Sequence, residues 1–276
     1  MFCGFCNSLK TSDADISALE SFYKSTNGAN WDLVSMGSPL RSDPAHYALH
    51  GMNASNFKGI AWNFTRDGGM LYVNDPCDAP SSSSGHWIGL MCECSSSSCN
   101  IIKMSMETGK LSGKIAPELE SLTSLTALDL AGNLLTGHMP ECLCNLTLLT
   151  YLALQGNRLQ GPLSTRIGDL QKLTFLTLAY NILDSMIPSS ISTLTAVTYL
   201  GLSNNHFNGI IPKSIGNMSS LEQLYLNDNY LDGNIPTSIG DLANLTHLYL
   251  QKNYLNGNIP TSIGNLAHNL LQLTLF

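Results

Sequence analysis

The chain has 276 residues, 43% hydrophobic and only 12% charged, against the roughly 25% charged of an average soluble domain, which excludes disorder. Lys and Arg number 13 and Asp and Glu 20, so a net charge of −7 without basic clusters leaves nothing to neutralise a phosphate backbone and argues against nucleic acid as a partner. The longest uncharged stretch, Asp184 to Lys213, is studded with Ser, Thr, Asn, Gly and Pro, which excludes a membrane span of ~20 mostly apolar residues.

In chain order, Asp13 to Ser25 comes first. It places Ile16, Leu19, Phe22 and Tyr23 at helical spacing behind Ser12 or Asp13 as N-cap, and predicts a short amphipathic helix. Ala18, Leu19, Phe22, Tyr23, Thr26, Gly28 and Trp31 spell A-L-x-x-F-Y-x-x-T-x-G-x-x-W. Residues 32–75 match no pattern and form a long excursion or an insertion. Pro76 and Cys77 follow, then Trp87, Gly89 and Cys92, parted by an insertion from Asp78 to His86 that holds four consecutive serines. Trp31, Trp62 and Trp87 are read as apolar filling of this region rather than as ligand contacts.

Beyond residue 120 the composition changes: 36 of the 45 leucines lie there. Self-comparison gives a step of 24. Asn133, Asn157, Asn181, Asn205, Asn229 and Asn253 keep it, as do Leu128, Leu152, Leu176, Leu200, Leu224 and Leu248. The unit is L-x-x-L-x-x-L-x-L-x-x-N-x-L-x-G-x-I-P, with six complete copies from Leu122 to Asn265. A weaker copy supplies Ile101, Met104, Met106, Leu111, Gly113 and Ile115, with Gly109 in place of the Asn. The L-x-L segment has period two, which predicts a short half-buried strand. After it a buried Asn amide, donor and acceptor at once, can satisfy backbone groups left unpaired by an inward turn. Gly then permits positive φ, and Pro holds an extended or turn geometry, with Ser185 and Ser164 each breaking one of these rules. A unit of this size cannot bury its apolar face alone, so the units are expected to stack into a solenoid with one parallel sheet along its inner face.

This unit, for example Leu194 to Asn217, resembles the plant-type leucine-rich repeat. The A-L-x-x-F-Y and P-C…W-x-G-x-x-C segments resemble the cap that opens such proteins, protist members included. The resemblance implies an α/β fold: a right-handed leucine-rich repeat solenoid over 101–276 with an inner parallel sheet, behind a disulfide-bonded N-terminal cap region over 1–100. It implies a Cys77–Cys92 bridge, whose 15-residue loop is worth ~3 kcal/mol by loop-closure entropy. The cap has a mechanical reason as well, because an open solenoid end exposes leucines and a strand edge.

Eight cysteines are present. Cys94 with Cys99 is the next bridge expected. A zinc site from Cys92, Cys94 and Cys99 lacks a fourth ligand, and Cys3-x-x-Cys6 lacks a redox-fold context, so disulfides are favoured over metal. The state of Cys142 and Cys144 stays open. Five N-x-[ST] sequons, at Asn53, Asn63, Asn145, Asn217 and Asn244, together with the cysteines favour an extracellular or cell-surface location and a glycoprotein. Met1 to Lys10 holds no apolar signal core. Leu270, Leu273 and Leu275 begin a seventh strand, displaced by one residue from the 24 step. The sequence is therefore expected to be a piece of a longer protein.

No G-x-S-x-G, H-E-x-x-H, kinase or phosphate-loop signature occurs, and Glu118 with Glu120 is read as solvated surface, so neither an enzyme nor a cofactor is expected. The residues between the strand leucines face outward from the inner sheet. One column is Ala127, Tyr151, Phe175, Tyr199, Gln223 and His247, and the next is Asp129, Ala153, Thr177, Gly201, Tyr225 and Tyr249. At ~4.8 Å between strands, Tyr151, Phe175 and Tyr199 should form an aromatic ladder that continues diagonally to Tyr225 and Tyr249, bordered by Tyr180, Asn204, Asp228 and Lys252. Such a strip is a candidate site for a protein, peptide or glycan, in a receptor-like module with room for a co-receptor. Mutual stacking, worth about 0.5–1.5 kcal/mol per pair, explains the aromatics equally well. Two other readings are the ectodomain fragment of a receptor-like kinase and a structural wall or matrix protein.

Overall fold

The computed structural model describes residues 11–30, 64–67, 70–73, 89–94 and 99–275. Helix α1 spans Asp13–Ser25, and its N-cap is Ser12, whose hydroxyl accepts from the Asp15 N–H at 3.1 Å. Leu19 and Phe22 on its buried face are 0% exposed and join the core of the repeats. The helix exit is tied down by the Ser112 N–H, which donates to the Thr26 carbonyl at 3.1 Å. Gly113 makes that approach possible: a Cβ there would stand 2.0 Å from the Ser25 carbonyl oxygen.

Each unit forms the predicted short strand, three residues long and centred on the first leucine of L-x-L. Six of them, from Ala127–Asp129 to His247–Tyr249, pair in parallel and in register. Gln272–Thr274 joins at one end, with Gln272 opposite His247, so the displacement by one residue is real. At the other end Cys99–Ser105 pairs in parallel with Ala127–Asp129, and Leu90–Cys94 lies antiparallel on it, so that a strand of the cap region covers the sheet edge. Among the described residues the inner sheet has nine strands.

The inner parallel sheet is as expected, and beside it lies a second sheet that the sequence pattern did not reveal. The x-L-x-G-x segments that follow each Asn are strands too, and seven of them, from Ser112–Lys114 to Tyr254–Asn256, form a lateral parallel ladder. The physical reason is the regular step: once one sheet sets neighbouring units in register, the next extended segment of each unit meets its counterpart and pairs its backbone groups. Short 3-10 turns, from Pro117–Ser121 to Thr261–Leu266, close the third side of the coil. The strand leucines Leu128, Leu152, Leu176, Leu200, Leu224 and Leu248 are all 0% exposed and lie in one continuous cluster from Ala18 to Leu266.

The Asn ladder holds these layers together. Each Asn Oδ1 accepts the backbone N–H twenty-two residues earlier, as Asn205 does from Leu183 and Asn229 from Phe207, at 2.9–3.1 Å along the series. Each Nδ2 donates to the carbonyl twenty-seven residues earlier, at 2.8–3.0 Å. One side chain thus bridges two repeats, which accounts for an Asn at this position in all six complete copies.

Of the cap cysteines, Cys92 and Cys99 are disulfide-bonded. Cys77 and the Cys94 side chain lie outside the described residues, as do Trp31, Trp62, Trp87, Asn53 and Asn63, so the pairings predicted above are not placed. Cys142 and Cys144 are free thiols, one half-buried and one buried.

Candidate functional site

The inner face is built by strand register. Because Tyr151, Phe175 and Tyr199 are direct partners across the ladder, their rings are forced over one another, with centroids 4.7 and 4.5 Å apart and planes within 18°. The stack then steps sideways by one column, as expected: Tyr199 meets Tyr225 at 5.2 Å with a tilt of 34°, and Tyr225 stacks on Tyr249 at 4.9 Å. His247 lies nearly parallel to Tyr249 with ring centroids 6.5 Å apart, and its Nδ1 is 2.8 Å from the Thr246 hydroxyl.

The five aromatics are not equivalent. Tyr151 is 1% exposed and packs with Ala127, Ala153 and Phe175 in a small cluster separate from the main core. It can anchor the stack but offers no free surface, so its predicted place as a contact residue is corrected to that of a base. Phe175, Tyr199, Tyr225, His247 and Tyr249 are half-buried and keep accessible edges. Burial pushes the Tyr199 hydroxyl up to about 12, with Tyr225 and Tyr180 adding to the effect, and burial beside Tyr249 raises Tyr225 as well. Both are neutral hydrogen-bond donors at physiological pH; Tyr225 donates to Gln223 Oε1 at 3.0 Å.

One edge of the strip is a threonine ladder that the sequence reading missed. Thr126, Thr150, Thr174, Thr198 and Thr246 each donate their hydroxyl to a carbonyl of the preceding repeat at 2.8–3.3 Å. The other edge is the turn row: Tyr180, Asn204, Asp228 and Lys252 all have φ of 55–56°. Tyr180 is 63% exposed there and stands apart from the stacked rings. Asp228 and Lys252 form an ion pair at 2.8 Å, and the ammonium holds the Asp228 carboxyl below its ordinary range.

A second aromatic ladder, on the lateral sheet, was also missed. His206, Tyr230 and Tyr254 follow one another at 5.4 and 6.0 Å. They flank a cavity of about 450 Å³ that also reaches Asp228 and Lys252. The signal was present as an aromatic directly after Asn205, Asn229 and Asn253, but only the existence of the lateral sheet turns that spacing into a surface. Of the sequons, Asn145, Asn217 and Asn244 are exposed on or next to the 3-10 turns, away from the inner strip. Among the described residues no group of His, Cys, Asp or Glu could hold a metal, and no helix is long and apolar enough to cross a membrane.

Comparison with known proteins agrees with this architecture. Residues 104–230 match the family described as a leucine-rich repeat region, and residues 220–242 and 244–266 each match a single leucine-rich repeat. No curated protein matches significantly. Among solved structures, the complex of PEPR1 with AtPEP1 is similar over 96% of this chain and 31% of that one, with 29% identity and a TM-score of 0.72. The ectodomain of the Arabidopsis receptor kinase HAESA, in complex with an IDA peptide hormone, is similar over 93% of this chain and 37% of that one, with 26% identity and a TM-score of 0.64. The plant peptide hormone receptor RGFR1, in complex with RGF2, is 34% identical over 59% of this chain and 26% of that one, with a TM-score of 0.58. The chain therefore spans about a quarter to two fifths of the length of these receptor chains.

Proposed function

Because the chain belongs to the plant-type leucine-rich repeat family, we propose that it is a non-catalytic recognition module that binds an extended peptide or protein segment along its inner face, from Tyr199 to Tyr249, outside the cell. The observation that carries this reading is the half-exposed ladder Phe175–Tyr199–Tyr225–Tyr249, its rings stacked on one another and bordered by Asn204 and the Asp228–Lys252 ion pair. Preordered aromatics lose little entropy on binding, and Tyr is enriched among residues that dominate interfaces. The peptide complexes of PEPR1, HAESA and RGFR1 support the same class of ligand. Asn145, Asn217 and Asn244 are assigned as glycan acceptors that leave this face bare, and Cys77–Cys92 and Cys94–Cys99 as the bridges of the cap.

The test is selection of linear peptides from a displayed library on the purified chain, followed by titration against Tyr225→Ala and Tyr249→Ala. Truncation of a central tyrosine is expected to cost about 2 kcal/mol, or roughly 30-fold in Kd. Selected peptides that bind the variants as well as the unmodified chain would move the site off this face.

A further inference from the structure

The lateral sheet carries a row of side chains at the position after each Gly of the G-x-I-P segment, or after Ser185 in its place. Each lies across the glycine of the following repeat: Lys114 over Gly137, His138 over Gly161, Met186 over Gly209 and Ile210 over Gly233. A Cβ on those glycines would stand only 2.9–3.2 Å from the overlying side chain. The missing Cβ lets the row lie flat and shingled, as one continuous exposed band.

The chemistry of the band changes along its length. Its cap end is basic, at Lys114 and His138, its middle is apolar, at Pro162, Met186 and Ile210, and its far end is amide, at Asn234 and Asn258. Met186 is 66% and Ile210 48% exposed, an unusual cost for solvated apolar side chains in three consecutive repeats. Two cavities open on the band. One of about 980 Å³ lies between α1 and the first repeats, with Lys114, His138 and Glu118 in its wall. The other, of about 640 Å³, lies in the apolar middle, and Lys213 is the sole charged residue that lines it. Lys114 and Lys213 make no ion pair among the described residues. In a chain of net charge −7, an apolar groove bracketed by unpaired cations is complementary to carboxylates.

We propose that this band is a second docking site, separate from the inner face, for a protein partner presenting an extended segment in which apolar side chains are bracketed by carboxylates. From Lys114 to Ile210 the row crosses four strand spacings, about 19 Å at ~4.8 Å each, which an extended chain covers in about six residues at ~3.3 Å. Alternate side chains of such a segment face the band, so Glu-x-Leu-x-Leu-x-Glu sets one carboxylate near Lys114, its two leucines near Pro162 and Met186, and the second carboxylate beside Ile210, in the repeat that carries Lys213.

The probe is fluorescently labelled Ser-spaced peptide Glu-Ser-Leu-Ser-Leu-Ser-Glu with blocked ends, followed by anisotropy at low ionic strength against the full chain. The expected result is saturable binding below millimolar Kd, at least tenfold weaker for the peptide with both Glu replaced by Lys, and at least tenfold weaker for the double variant Met186→Glu, Ile210→Glu. Both positions are exposed, so the variant folds. Lys114→Glu with Lys213→Glu should reverse the preference toward the Lys-bracketed peptide. Tyr225→Ala, which tests the inner face, should leave this binding unchanged, so either reading can fail without the other. Equal binding of the two peptides, no binding at millimolar concentration, or a self-association in sedimentation that Met186→Glu abolishes would overturn the proposal, the last by making a second copy the occupant.

Discussion

Asn205→Ala isolates what one rung of the Asn ladder contributes. Asn205 Nδ2 donates to the carbonyls of Leu178, Leu202 and Ser203 at 3.0, 3.2 and 3.2 Å, and its Oδ1 accepts from the Leu183 N–H at 3.0 Å. The acceptors have second partners: Leu178 is also served by Asn181 at 3.0 Å, Leu202 by Asn229 at 3.0 Å, and Ser203 by the Tyr180 N–H at 3.0 Å. The Leu183 donor, in contrast, is left facing apolar surroundings when the amide is removed. One orphaned buried donor costs about 1–3 kcal/mol, and three weakened carbonyl contacts raise the loss to about 2–4 kcal/mol. Denaturant unfolding measures the total. Because a repeat array can lose two-state behaviour, hydrogen exchange at the Leu183 amide gives the local cost, and an acceleration of at least ~30-fold is expected. Asn205→Asp keeps the acceptor but turns a carboxylate oxygen toward three carbonyls, so it should be worse than Ala at neutral pH and recover on protonation. If Ala lay within about 0.5 kcal/mol of the unmodified chain and Asp matched it, the claim that the amide bridges two repeats would be false.

Three further outcomes follow from the same geometry. Gly240→Ala puts a Cβ 2.3 Å from the Ser262 carbonyl oxygen, whereas Gly264→Ala meets nothing within 4 Å; thermal melts should show a loss of about 1–3 kcal/mol for the first and little change for the second. Ser185 has φ of 67° where the other five complete repeats have Gly, so Ser185→Gly should raise stability by up to about 1 kcal/mol, and a lower melting temperature would show that its hydroxyl bond to Asp184 outweighs the strain. Burial lifts the Cys144 thiol to about 11, and burial with nearby Glu120 raises Cys142; native-state alkylation at pH 8 should be slow at Cys142 and slower at Cys144, with both labelling fast once guanidinium is added.

How far the sequence reached depends on which residues are considered. The ladder Phe175–Tyr199–Tyr225–Tyr249 was legible because one step of 24 fixes neighbours in a parallel sheet, and a period of two fixes the face. Tyr151 was legible as a neighbour but not as a buried one, since burial depends on everything packed around a ring. The lateral sheet escaped because G-x-I-P carries turn residues that read locally as punctuation, and its pairing exists only between units. For the same reason nothing in the sequence pattern singled out His206, Tyr230 and Tyr254, or Met186 and Ile210, as members of one surface.

What the sequence determined by itself is everything that repeats: the unit length, the strand leucines, the buried amide at each turn and the order of the inner columns. These follow from local chemistry that each copy states again. The tertiary structure alone decided which copies' side chains are covered and which are left in solvent, and that a second sheet exists to display them. Those outcomes arise from contacts between units, whose energies are set by stacking distance and neighbour identity and not by any one copy's residues.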